Sequence, residues 1–197
     1  MDALNERTNA SELARAQLVG LLREHALVLG EVTLTSGQTV QYYVDAKRAI
    51  LLPEAFTALG LLVAEKARAC GANAVGGVPV SAIPVACAAL AAPEPPAKMF
   101  IVRAARKEHG LQRWIEGPLP EPGDRCLIVE DVVTTGGSTI EAIERLRSEG
   151  LAVAGVLSVL DRLAGGAEAI QAALGDDGPY LTLSTIDDVY PDRPDRG

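Results

Sequence analysis

Residues 130–139, EDVVTTGGST, place two acids, four hydroxyls and two glycines within one short run. A turn rich in glycine and threonine that opens a helix is a ready anion site. Its free backbone N–H groups point outward and the helix dipole favours negative charge. Gly136 and Gly137 allow a ligand to approach the backbone, and Thr134, Thr135, Ser138 and Thr139 add hydroxyl donors. The run lacks both the G-x-x-x-x-G-K-[ST] pattern with its lysine and G-x-G-x-x-G. A bare phosphate site has no need of Glu130 and Asp131. Two carboxylates beside a phosphate suit a ligand with adjacent hydroxyls, such as a ribose, or a magnesium ion shared between sugar and diphosphate.

A second concentration of reactive groups lies in VRAARKEHGLQRWIEGP, residues 102–118, with Arg103, Arg106, Lys107, His109 and Arg113. A solvated basic loop is the plain account. The functional one is a mobile lid whose cations meet an anionic leaving group and exclude water. Further candidates are Tyr42 and Tyr43, which hairpin packing alone would also explain. Asp45, Lys47 and Arg48 read as a surface ion-pair group, and Arg162 stands at the end of an apolar strand.

These residues need a scaffold. Asn9 and Glu12 have capping-box spacing, and Leu13, Leu18, Leu21, Leu22 and His25 then share a helix face. Residues 29–34 and 39–44 read as strands of a hairpin around Ser36, Gly37 and Gln38. Pro53 opens a helix to about Cys70. A strand is expected over 73–77, a helix over 82–91 and a strand over 99–102. Residues 103–122 show no periodicity, and a loop of that length is usually functional or disordered. Then come a strand over 125–129, a helix over 139–149, a strand over 153–160, a helix over 166–174 and a strand over 181–186. Apolar strands alternating with helices predict an α/β fold, a mainly parallel sheet flanked by helices on both faces. Ligands of such sheets bind where strands end and helices begin.

The chain has 197 residues, which fits one domain over 1–197 with a hood region of about 1–50 and a flexible tail over 190–197. A chain of this size buries roughly 70% of its unfolded surface. The net charge of −8 argues against nucleic acid or an anionic membrane as partner. Apolar runs are too short to cross a bilayer, and the first residues lack a signal-peptide core. Cys70, Cys87 and Cys126 are odd in number, without metal-type spacing, and read as buried thiols of a reducing compartment. The cytoplasm is the expected location.

The run of apolar residues, two acids, two apolar residues and Thr-Thr-Gly-Gly-Ser resembles the phosphoribosyl diphosphate signature of type I phosphoribosyltransferases. The 103–110 loop is similar to the R-K-x-x-K-x-H-G loop of orotate phosphoribosyltransferases, and IEGP follows it as in that family's bacterial branches. TLTSGQTVQYYVDAKR, residues 33–48, resembles the family's orotate-pocket hairpin. Ala104 stands where the loop pattern has a second lysine, Thr35 and Gln38 replace cations of some members, and Ser81 replaces a lysine in GGVPVSAIPVA.

The resemblance spans about residues 11–188. It implies the type I phosphoribosyltransferase fold with a small N-terminal hairpin and helix hood. It also implies magnesium-dependent transfer of a phosphoribosyl group from phosphoribosyl diphosphate to N1 of orotate. It assigns Arg103, Lys107, His109, Glu130, Asp131, Val132, Val133, Thr134, Thr135, Gly136, Gly137 and Ser138 to phosphoribosyl diphosphate, with Lys107, His109 and Asp131 catalytic. It assigns Tyr43, Val44, Thr134 and Arg162 to orotate, leaves magnesium mainly to the substrate, and implies a homodimer with shared active sites. A transferase for another base, or a regulator sensing phosphoribosyl diphosphate, are the alternatives.

Overall fold

The structure is a computed structural model that describes residues 2–33, 37, 39–105, 113–121 and 123–196. The first helix, α1 (Asp2–Leu21), begins well before the expected cap at Asn9. Residues 2–7 include Ala, Leu, Glu and Arg, good helix formers that carry the helix past that cap signal. Leu18 and Leu22 are fully buried, whereas Leu13 is exposed, so the apolar face is narrower than its spacing suggests. One π-helical turn (Leu22–Ala26) leads into β1 (Leu27–Thr33). That strand pairs antiparallel with β2 (Thr39–Val44), from Leu27 opposite Val44 to Thr33 opposite Thr39. The expected hairpin is present and forms its own two-stranded sheet. A short helix the sequence reading missed, α2 (Lys47–Ile50), turns the chain towards α3 (Pro53–Ala69), which has Pro53 in its first turn as expected.

The main sheet contains β3 (Ala74–Gly77), β4 (Lys98–Val102), β5 (Ile115–Glu116), β6 (Arg125–Val133), β7 (Ala152–Asp161) and β8 (Tyr180–Thr185). Its order is β5-β4-β3-β6-β7-β8, parallel except for the short edge strand β5. Helix α4 (Ala82–Leu90) follows β3, α5 (Gly137–Ser148) follows β6, α6 (Gly166–Leu174) follows β7 and α7 (Ile186–Val189) follows β8. From β3 the chain winds outward through β4; from β6 it winds the other way through β7 and β8. The C-terminal ends of β3 and β6 therefore diverge, and a doubly wound sheet opens its crevice at such a switch point.

Two apolar layers cover the sheet. One holds α1, α3, α4 and the hairpin around Leu127, Val129 and Leu157. The other holds α5 and α6 around Cys126, Ile128 and Val156. Each fully buried Leu or Ile of β6 contributes roughly 1.5–3 kcal/mol by leaving water. Side chains of a strand alternate between faces, and that alternation continues through the acid pair. The strand expected to end at residue 129 runs to Val133, hydrogen-bonded in register with β7 up to the pairing of Val133 with Asp161. Charge at Glu130 and Asp131 reads as a strand end, but the β7 ladder and local donors let the strand continue with both carboxylates buried.

Candidate active site

A pocket of about 250 Å³ opens where the ends of β2, β6 and β7 meet the start of α4. Tyr43, Val44, Lys47, Ser81, Asp131, Val132, Thr134 and Arg162 line it. The sheet alternation explains which acid is there. Asp131 shares the face of Leu127 and Val129, towards the hairpin, and reaches the pocket. Glu130 shares the face of Cys126 and Ile128, towards α5. There its carboxylate accepts from Ser138 Oγ at 3.3 Å and Thr139 Oγ1 at 3.4 Å, and from the Asp131 N–H at 3.2 Å. The two carboxylates still lie close enough to interact, so Asp131 at the pocket bears on the Glu130 carboxyl beneath the cradle.

The turn after β6 has the form of an anion cradle. Thr134, Thr135, Gly137 and Ser138 are exposed, and the helix α5 starts at Gly137. Gly136 caps it at φ +81°, in the left-handed region. A Cβ there would lie 2.8 Å from Ile170 Cγ1 and 3.1 Å from the Gly166 carbonyl oxygen, so both conformation and space call for glycine. Val133 is the exception in this run. Its side chain is buried in the core and only its backbone is available, the carbonyl accepting from the Arg162 N–H at 2.9 Å.

Arg162 is held by its neighbours. Asp161, nearly fully buried, accepts from the Leu163 N–H at 2.7 Å and from Tyr180 Oη at 2.9 Å. This fixes a sharp turn with Leu163 at φ +56°, a conformation that costs about 1 kcal/mol or more outside glycine. Tyr180 also meets Ser158 Oγ at 2.8 Å. The Arg162 guanidinium lies over the ring of Tyr42, 5.1 Å from its centroid. The two hairpin tyrosines divide their work: Tyr42 is buried in the core and Tyr43 faces the pocket.

Lys47 lines the pocket but was not among the expected site residues, whereas Ser81 lies in the 76–86 loop, whose resemblance to the family's diphosphate loop implies contact with the ligand. Lys47 pairs with Asp45 at 2.7 Å, as expected of a surface ion pair, yet its ammonium also borders the cavity. The hydrogen bond to Asp45 holds it above the ordinary lysine value, with Asp131 adding to the effect. Only the missed turn of α2 brings it there. Arg103 is not part of the pocket. Its guanidinium bonds Glu116 at 2.5 Å and the Ala105 carbonyl at 3.0 Å, and its N–H donates to the Trp114 carbonyl. Lys107 and His109 lie outside the described residues, with Arg106.

Burial, and then repulsion from Asp131, push the Glu130 carboxyl up to about 7. A folded value above the unfolded value of about 4.3 contributes stability fully present below the latter, lost as pH rises through the former. The parent protein is therefore expected to lose stability between pH 4.5 and 7 through this group, and Glu130→Gln to remove that loss. Urea midpoints at pH 5 and 8 check it. An equal drop in parent and variant would show that Glu130 does not carry the effect.

A larger groove of about 840 Å³ lies elsewhere, between α1, α3 and β8, near Arg15, Leu61, Leu62, Glu65 and Arg68. Its charges are largely engaged with one another: Glu65 with Ser11 and Lys66, Arg68 with Glu94. The smaller pocket has the anion cradle, the two pocket-side cations and the sheet switch point, so chemistry rather than size identifies the site.

The family model described as phosphoribosyl transferase domain matches residues 73–173. Orotate phosphoribosyltransferase of Corynebacterium glutamicum is 42% identical over 176 residues, covering 89% of this chain and 94% of that protein. The enzyme of the same name from Mycobacterium tuberculosis H37Rv is 44% identical over 158 residues, covering 80% of this chain and 88% of that one. A crystal structure of the M. tuberculosis H37Rv enzyme in complex with 5-phospho-alpha-D-ribosyl 1-diphosphate superposes with a TM-score of 0.75. It is 37% identical and spans 89% of this chain and 98% of that one.

Proposed function

The chain belongs to the orotate phosphoribosyltransferases of the phosphoribosyl transferase family, and from that premise we propose how its pocket works. The protein is an enzyme of pyrimidine biosynthesis. It transfers the phosphoribosyl group of phosphoribosyl diphosphate to orotate, giving orotidine 5′-phosphate and diphosphate. The observation that carries the residue roles is the convergence of Tyr43, Val44, Asp131, Thr134 and Arg162, far apart in sequence, on one pocket beside the cradle of residues 134–138.

In this reading the backbone N–H groups and hydroxyls of Thr134, Thr135, Gly136, Gly137 and Ser138 hold the 5′-phosphate at the α5 N-terminus. Asp131 accepts from the ribose hydroxyls, and Glu130 braces the cradle through Ser138. Val132 and Val133 contribute backbone beside the sugar. Arg162 takes the orotate carboxylate, for which a planar guanidinium offers two parallel hydrogen bonds. Tyr43 and Val44 flank the flat base, and Lys47 adds positive potential to a pocket that receives two anions. The reaction needs no covalent enzyme intermediate; positioning and charge stabilisation of an oxocarbenium-like ribose supply the rate.

Among the described residues no three His, Cys, Asp or Glu side chains converge as a metal cage. Asp131 nonetheless offers the kind of hard oxygen that magnesium takes singly, with substrate phosphates and water completing its shell. The donor set fits magnesium arriving with phosphoribosyl diphosphate: Asp131 would hold it on the protein side, and it would supply charge neutralisation for the diphosphate.

Arg103, Lys107 and His109 meet the diphosphate of a partner subunit in a homodimer, with Lys107 or His109 donating the proton. Consistent with that arrangement, Arg103 is tied to Glu116, outside the pocket of its own chain. The partners of this cytoplasmic enzyme are small molecules and a second copy of itself. Mixing Lys107→Ala with Arg162→Ala, each strongly impaired alone, tests the shared site. Random exchange puts one intact site in half the dimers, so about a quarter of parental activity is expected to return. No recovery after verified exchange would place both groups in one subunit's site.

A further inference from the structure

Residues 190–196, part of the stretch read from sequence as a flexible tail, are bound against α7 and the hood behind the pocket. The Arg193 side chain is only 9% exposed; it pairs with Asp187 of α7, and its Nε lies 3.1 Å from Asp195. Arg196 lies 3.6 Å from Asp187 and donates to the Pro191 carbonyl at 2.8 Å. Asp195 in turn accepts from Tyr42 Oη, at 2.9 and 3.1 Å to its two oxygens. The Tyr42 ring also meets Tyr190 edge to face, 5.3 Å between centroids at 81°. The other partner of that ring is the guanidinium of Arg162.

We propose that residues 190–196 form a strut that positions Arg162 for the orotate carboxylate, acting through Tyr42. The proposal rests on the orotate role given to Arg162 above. The physical chain is short. Asp187 and Arg193 fix Asp195, Asp195 and Tyr190 fix the plane of Tyr42, and a cation over an aromatic face takes its place from that plane. A charge-assisted bond to a carboxylate resists the ring's sliding more than a neutral one. Tyr42 stands next to Tyr43 on β2, so the strand carries the base-flanking ring on one face and the support for Arg162 on the other. These are positioning residues: none of them lines the pocket. Their loss acts on orotate and leaves the phosphoribosyl side alone, because the cradle belongs to β6 and α5.

Steady-state kinetics with each substrate varied tests this on Tyr42→Phe, Asp195→Ala, Asp195→Asn and the Tyr42→Phe/Asp195→Ala double variant. Asp195→Ala and Tyr42→Phe are each expected to raise KM for orotate about three- to tenfold, with kcat and KM for phosphoribosyl diphosphate within about twofold. Asp195→Asn keeps an acceptor for Tyr42 and is expected to recover most of the loss. The double variant is expected to be no worse than the worse single, since both remove one interaction. Both KM values moving together, neither moving, or effects that multiply in the double variant would overturn the strut. Arg162→Ala is the control that separates the two readings. If it leaves KM for orotate unchanged, the assignment of Arg162 has failed. If it raises that KM while Asp195→Ala does not, the strut alone has failed.

Discussion

Replacing Asp131 by asparagine is expected to lower kcat/KM a hundredfold or more, whereas Asp45→Asn, at the ion-pair partner of Lys47, is expected to stay within about fivefold. Asp131 is buried at the end of β6 and its carboxylate faces the cavity. Asparagine fills the same volume, so the sheet and both core layers stay intact. What is lost is a full negative charge that accepts from ribose hydroxyls and faces the positive charge growing on the sugar. A hundredfold corresponds to about 2.7 kcal/mol, the scale of one preorganised interaction in a site screened from water. Asp45 is more exposed and acts on Lys47, one step from the ligand. Equal losses from the two variants would remove Asp131 from the chemistry.

Arg162→Ala carries the other large effect. A buried or half-buried carboxylate that loses a bidentate guanidinium forfeits about 2–5 kcal/mol, or roughly 30- to several thousandfold in kcat/KM for orotate. Affinity for phosphoribosyl diphosphate, measured by direct titration, is expected to be nearly unchanged, because the cradle at residues 134–138 does not use this side chain. Arg162→Lys keeps the charge and loses the fork, so it is expected to recover only part of the activity. The turn itself does not depend on the guanidinium: Asp161 holds the Leu163 N–H and Tyr180 Oη, and Arg162 N–H bonds Val133. A fall in affinity for both substrates would mean that the turn had collapsed and that the assignment to orotate was not being tested.

The parallel sheet, its helices and the hairpin were legible because their signals are local. Pro53 marks a helix start, the 74–77 and 98–102 strands are short apolar runs, and the helix over 166–174 matches its periodicity residue for residue. What the sequence hid depends on contacts made across the fold. Glu130 and Asp131 read as a strand end because exposed charge is the rule; β7 and the hydroxyls of Ser138 and Thr139 make their burial tolerable. Lys47 read as a surface ion pair because the turn of α2 that swings it to the pocket has only four residues. The two-residue strand β5, paired with β4 at Ile101 and Val102, is too short to leave a periodicity in the 103–122 stretch.

The tail misled for a related reason. PDRPDRG has the composition of a free end, yet its alternating charges find partners on α7 and Tyr42 that are distant in sequence. The candidate site itself was legible where a motif specifies backbone as well as side chains. Gly136 is needed for its φ of +81° and for the closeness of Ile170, and that demand is written into the Thr-Thr-Gly-Gly-Ser run. The positioning residues around Arg162, namely Asp161, Tyr180 and Tyr42, leave no such trace, because each acts through a contact made only in the folded sheet.

The most direct test of the account mixes the purified protein with orotate, phosphoribosyl diphosphate and magnesium and follows the loss of orotate absorbance, beside a control without magnesium. Loss that requires magnesium and both substrates is expected, with Ala104 tolerated in the loop. No loss of orotate from protein that binds phosphoribosyl diphosphate would contradict it.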